Sequence, residues 1–148
     1  MRVINEMKLL FTSLSVNESF GRSAVSSFLL QLDPTIAELN EIRTALSEAI
    51  TNSVVHAYKD IEGIIEINTK IYDNRTVYIR VKDKGCGIIN ISQAMEAMYT
   101  TAPNEERSGL GFSVMLQFMD KVQVSSKPKQ GTTVTMTKRL SDNSRVSK

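Results

Sequence analysis

Leu46-Ser47-Glu48-Ala49-Ile50-Thr51-Asn52-Ser53-Val54-Val55-His56-Ala57 is the stretch on which the reading of the whole chain turns. Its apolar residues recur at helical spacing. Glu48, Asn52 and His56 repeat every four residues, so an acid, an amide and an imidazole share one helix face. Taken alone, such a face is more often simply solvated. The apolar stripe of the same helix is Leu39, Ile42, Leu46, Ala49, Ile50, Ser53 and Ala57. The polar trio falls beside that stripe rather than opposite it. Such positions lie at the margin of a core, where a cleft wall would be.

Upstream, residues 2–14 mix β-formers with charge and are expected to form an edge strand. Ser15-Val16-Asn17-Glu18 has the spacing of a capping box and opens a helix to about Leu32. Val16, Phe20, Ala24, Phe28 and Leu32 are expected to be its core stripe. The other side, with Arg22, Val25, Ser26 and Leu29, is too apolar for plain solvent. It would either pack against the next helix or dock another protein. Asp33-Pro34 ends this helix, because proline disfavours helical geometry in the residue before it. Thr35-Ile36-Ala37-Glu38 is a second capping box, and the helix it opens runs to about Tyr58.

Downstream, Ile65, Ile67, Thr69 and Ile71 alternate with Glu66, Asn68 and Lys70, the pattern of a half-buried strand. Asp73-Asn74-Arg75 turns the chain into a partner strand, Thr76 to Lys82. Residues 92–107 contain a short helix and a polar stretch with Pro103, expected to form a mobile lid. Phe112, Met115, Leu116 and Met119 give the next helix its apolar face. Val122–Ser126 and Thr132–Leu140 form a last hairpin across Lys127-Pro128-Lys129-Gln130-Gly131. Residues 1–140 are expected to be one domain and 141–148 a frayed tail. The order predicts an α/β (α+β) two-layer sandwich: a mostly antiparallel mixed sheet with helices on one face.

Composition narrows the function classes. The 148 residues carry a net charge of only +2, with no block of like charge, so nothing points to nucleic acid or an anionic membrane. One cysteine, Cys86, cannot form an intrachain disulfide, which suits a reducing cytoplasm. No apolar run approaches the roughly 20 residues of a membrane span. The first residues break into charge too soon for a signal peptide.

Four of the seven glycines, Gly85, Gly87, Gly109 and Gly111, fall in two short clusters. Glycine permits positive φ and close backbone approach to a ligand. Gly109-Leu110-Gly111 opens a helix, whose free N–H groups favour phosphate. It is not a Walker motif, since no Gly-Lys-Ser/Thr follows. Asp83 ends a strand just before Gly85-Cys86-Gly87. Its carboxylate either caps the turn or accepts the exocyclic amine of an adenine. Cys86 reads as a passive spacer rather than a redox sensor.

Glu48-x-x-x-Asn52-x-x-x-His56, Asp83-x-Gly85-x-Gly87, Gly109-x-Gly111 and Gly131-Thr132-Thr133, in that order, resemble the Bergerat-type (GHKL) ATP-binding superfamily. Within it, the chain is most similar to the small bacterial anti-sigma factors that are serine kinases, above all those of sporulation sigma F. Phe20-Gly21-Arg22-Ser23-Ala24-Val25 looks like that family's docking segment, and Tyr99 to Pro103 and Glu106 to Phe112 look like its lid. Ala102 departs from the pattern, where a basic residue is expected.

The resemblance implies ATP and Mg²⁺ as cofactors. It gives Glu48 as general base and Asn52 as the Mg²⁺ ligand, a hard oxygen donor suited to that ion. Asp83 reads adenine with Thr132 in support. Gly85, Gly87, Gly109, Leu110 and Gly111 shape the hinges and phosphate loop, and Arg107 and Ser108 reach the γ-phosphate. His56 is a supporting hydrogen-bonding group. Arg22, with Val25 and Leu29, faces the partners: a sporulation sigma factor and an anti-anti-sigma protein that is phosphorylated on serine. A homodimer is also implied. A general-stress anti-sigma kinase and a non-catalytic ATP-switched binding module are the alternatives.

Overall fold

The computed structural model describes residues 1–58, 62–88 and 111–142. Five strands form one sheet: β1 (Val3–Thr12), β2 (Ile64–Tyr72), β3 (Thr76–Asp83), β4 (Lys121–Lys127) and β5 (Gly131–Arg139). Their order is β1-β2-β3-β5-β4. Every pairing among the described residues is antiparallel, in keeping with the mostly antiparallel sheet expected. β1 is an edge strand, as its charge content predicted. β5 sits between β3 and β4. That placement sets Asp83, the last residue of β3, opposite Thr132, and Thr132 opposite Ser126 of β4.

Alternation decides which face of the sheet is covered. Ile65, Ile67 and Ile71 of β2, Val77, Ile79 and Val81 of β3, and Val134 and Met136 of β5 are all buried. The helices α1 (Val16–Leu29), α2 (Ile36–Thr51) and α3 (Phe112–Phe118) supply the second layer. Ile42, Ala45, Leu46, Ala49 and Ile50 of α2 join Phe112 and Met115 of α3 in the same core. Each fully buried Ile or Leu contributes on the order of 1.5–3 kcal/mol, so this face outweighs any local preference.

The second capping box forms as expected. Thr35 Oγ1 accepts from the Glu38 N–H at 3.0 Å, and Glu38 Oε1 accepts from the Thr35 N–H at 2.9 Å. The first does not. Ser15 is itself helical, with φ −59° and ψ −29°, and its side chain makes no capping bond. A serine already wound into the helix cannot swing its oxygen onto the next turn. Glu18 instead accepts from Thr51 Oγ1 at 2.9 Å, tying α1 to α2.

The first helix keeps only part of its expected core stripe: Leu32 is buried and Phe28 packs against the core. Val25 and Leu29 are buried, with Gly21 beside them, whereas Val16 and Phe20 are 75% and 55% exposed. Both stripes are apolar, so periodicity alone could not choose between them. Gly21 makes the choice: without a side chain, its backbone comes close to Phe11 and Ile50. Val25 and Leu29 are therefore core residues and not the docking surface expected of them. Arg22 remains half-exposed.

A candidate nucleotide site

α2 does not continue to Tyr58 as an α-helix. From Asn52 to Ala57 it widens into a π-helix, a form found often at functional sites. Asn52, Ser53, His56 and Ala57 of this turn all line one pocket with Ala49, Asp83, Cys86, Gly87, Ile88, Phe112, Thr132 and Val134. The described residues alone enclose about 180 Å³ there. Apolar walls with a few convergent polar groups suit a flat, mostly apolar ring.

Asp83 is the polar centre of this pocket. It is only 5% exposed. A buried carboxylate must be satisfied, and this one has three donors. Oδ2 accepts from Ser53 Oγ at 2.9 Å. Oδ1 accepts from the Gly85 N–H at 2.9 Å and the Thr132 N–H at 3.2 Å. An ionised carboxylate offers about four acceptor sites, so one is left for a ligand's donor. Asp83 thus caps the turn and also lines the cavity.

The glycines that fall among the described residues are placed by close approach. Gly111 has φ +64° and begins α3 against Glu48; a methyl group there would overlap the Glu48 carboxylate. Gly87 has φ +77° and lies against the Lys127 carbonyl. Gly85 is pressed on Ala57, whose carbonyl accepts from the Cys86 N–H at 3.0 Å. Cys86 Sγ is 3.2 Å from the His56 carbonyl oxygen, so this thiol helps to fasten the glycine loop to the π-turn.

Glu48 is half-buried on α2, one turn before Asn52. Arg107, Ser108, Gly109 and Leu110, together with the expected lid, lie outside the described residues, as do positions 143–148 of the tail. Arg22 lies on α1 and is absent from the pocket lining. Sequence reasoning does not single out Ser53 or Ser126 at this site. Ser53 stands in the buried stripe, where a hydroxyl among Ala49, Ile50 and Ala57 calls for a partner. Ser126 carries no sequence signal beyond its place in a strand. It accepts from the Ile88 N–H at 2.8 Å and lies 2.7 Å from Thr132 Oγ1.

Known proteins match this chain along almost all of its length. The family described as "Histidine kinase-like ATPase domain" matches residues 19–138. The anti-sigma F factor of Bacillus subtilis (strain 168) is 48% identical over 138 residues, 93% of this chain and 94% of that protein. The anti-sigma F factor of Clostridium novyi (strain NT) is 49% identical over 137 residues, 92% and 95% of the two chains. The chain belongs to the anti-sigma F factor family. It carries that family's ATPase-type domain, and Asp83 and Thr132 lie within the matched span. Solved structures agree on the fold. The RsbU and RsbW domains of a Mycobacterium tuberculosis protein superpose with a TM-score of 0.67 at 17% identity, over 93% of this chain and 33% of that one. A histidine kinase domain from Erythrobacter litoralis gives 0.56 at 16% identity, over 83% and 61%. Among the described residues, no helix is long and apolar enough to cross a membrane.

Proposed function

We propose that this chain is an ATP-dependent protein-serine kinase that also binds and inhibits the sporulation sigma factor F. The single observation that carries the reading is the buried, triply hydrogen-bonded Asp83 carboxylate at the floor of an apolar pocket. Such a group reads the exocyclic amine of adenine while Ala49, Ile88, Phe112 and Val134 hold the ring. The donor chemistry fits Mg-ATP. Asn52, on the pocket wall, offers an amide oxygen to Mg²⁺, an ion that takes few protein ligands beside phosphate and water. Mg-ATP supplies the phosphoryl group to be transferred.

Glu48 stands one helical turn from Asn52 and abuts the start of α3. In this reading its carboxylate accepts the proton of a serine hydroxyl on the anti-anti-sigma partner. Gly111 leaves that carboxylate room. Arg107 and Ser108, with the Gly109-Leu110-Gly111 loop, stabilise charge on the transferred group. The relatives' shared name supports a sigma-factor partner, and their 48–49% identity favours sigma F over a general-stress target. The half-exposed Arg22 is offered as the contact for sigma factor and anti-anti-sigma protein, with the exposed Phe20 and Val16 adding apolar surface elsewhere on α1, presented by a homodimer.

Transfer of labelled γ-phosphate to the anti-anti-sigma protein tests this function. Wild type should label a serine on that partner, and Glu48→Gln should label it at least about a hundredfold more slowly. Undiminished transfer by the variant would remove Glu48 as base, and no transfer by wild type would remove the kinase.

A further inference from the structure

We infer that Ser126, which does not line the pocket, fixes the hydrogen-bond polarity of the wall that meets the purine edge. This rests on the adenine-nucleotide reading above. Ser126, Thr132 and Asp83 occupy one row across β4, β5 and β3. Ser126 Oγ has three partners: the Ile88 N–H at 2.8 Å, the Gly131 carbonyl oxygen at 3.0 Å and Thr132 Oγ1 at 2.7 Å. A serine hydroxyl has one proton and two acceptor sites. The Ile88 amide can only donate, and the Gly131 carbonyl can only accept. All three contacts are satisfied in one way alone: Ser126 donates to Gly131, and Thr132 donates to Ser126.

The consequence falls on Thr132, which does line the pocket. Its proton is committed to Ser126, so it turns only acceptor sites to the cavity. Ser53 is in the same position, its proton committed to Asp83 Oδ2. Ser53, Asp83 and Thr132 therefore form a wall of acceptors. Such a wall takes the protons of an amine and repels a carbonyl oxygen placed at the same point, since neither side has a proton to share. Adenine carries an amine there and hypoxanthine a carbonyl. Ser126 is a positioning residue for that choice: without it, the Thr132 hydroxyl is free to rotate and donate to a carbonyl.

Calorimetric dissociation constants for ATP and inosine triphosphate, with Mg²⁺, provide the test on wild type, Ser126→Ala and Ser126→Thr. Wild type should prefer ATP. Ser126→Ala should shrink that preference about five- to tenfold, mainly by binding inosine triphosphate more tightly, the scale of one hydrogen bond gained. Ser126→Thr keeps the hydroxyl on a strand that accommodates threonine and should keep the wild-type ratio. The inference is overturned if Ser126→Ala weakens both nucleotides equally or leaves their ratio unchanged. Equal affinity of wild type for the two nucleotides also overturns it. If wild type binds neither, the nucleotide reading itself fails and this inference falls with it.

Discussion

Ser53 Oγ donates a hydrogen bond to Asp83 Oδ2 at 2.9 Å, joining the π-turn after α2 to the end of β3. Both residues are buried, at 2% and 5% exposure. Ser53→Ala leaves one oxygen of a buried carboxylate without its donor. The expected cost is about 1–3 kcal/mol of stability, read as a lower urea midpoint, with weaker ATP binding. An unchanged midpoint would mean that water replaces the serine without loss.

Gly111 and Glu48 make the next test. Gly111→Ala places a methyl group where the Glu48 carboxylate lies and in a left-handed backbone conformation. The backbone term alone costs roughly 1–2 kcal/mol. Displacement of Glu48 should slow phosphoryl transfer more than it weakens ATP binding. Parallel measurement of the transfer rate and the dissociation constant checks the split.

The two faces of α1 should behave differently. Leu29 is fully buried, so Leu29→Ala should cost about 2–5 kcal/mol of stability. Phe20→Ser at an exposed position and Arg22→Ala at a half-exposed one should leave stability within about 0.5 kcal/mol and weaken partner binding. Thermal unfolding beside a pull-down with sigma factor separates the two outcomes.

Glu38 ties the start of α2 to the end of the sheet. Burial opposes its charge, but hydrogen bonds from the Ser141 and Thr35 backbone N–H groups outweigh that and hold its pKa below the usual 4.5. Asp73 is also lowered, chiefly by the Arg2 backbone N–H. A carboxyl with a depressed folded-state pKa adds stability above its unfolded value and loses it as pH falls through the folded one. Acid should therefore destabilise the protein below the ordinary carboxylate range. Glu38→Gln should flatten that acid limb of the urea midpoint, which is the measurement that checks it.

Much of the fold was legible because burial and alternation coincide in β2 and β3, where Ile65, Ile67, Val77 and Ile79 share one face. The Thr35–Glu38 cap was legible because it is local. α1 was not, because both its stripes are apolar and only contact of Gly21 with Phe11 and Ile50 distinguishes them. At the site, Asp83 stands out by the glycines that follow it, and Thr132 only through the family resemblance. The Ser53 and Ser126 bonds were not legible, since each depends on a partner 30 or 6 residues away and on β5 lying between β3 and β4.

Mg-ATP binding by wild type and Asp83→Asn is the most direct measurement of the nucleotide site. The amide keeps the shape of Asp83 but replaces one acceptor oxygen with a donor, against both Ser53 and an adenine amine. Calorimetry should show saturable binding by wild type and a loss of at least about tenfold in the variant, the scale of a charged hydrogen bond. Equal binding by both proteins, with Asp83→Asn still folded, would contradict the assignment of this pocket.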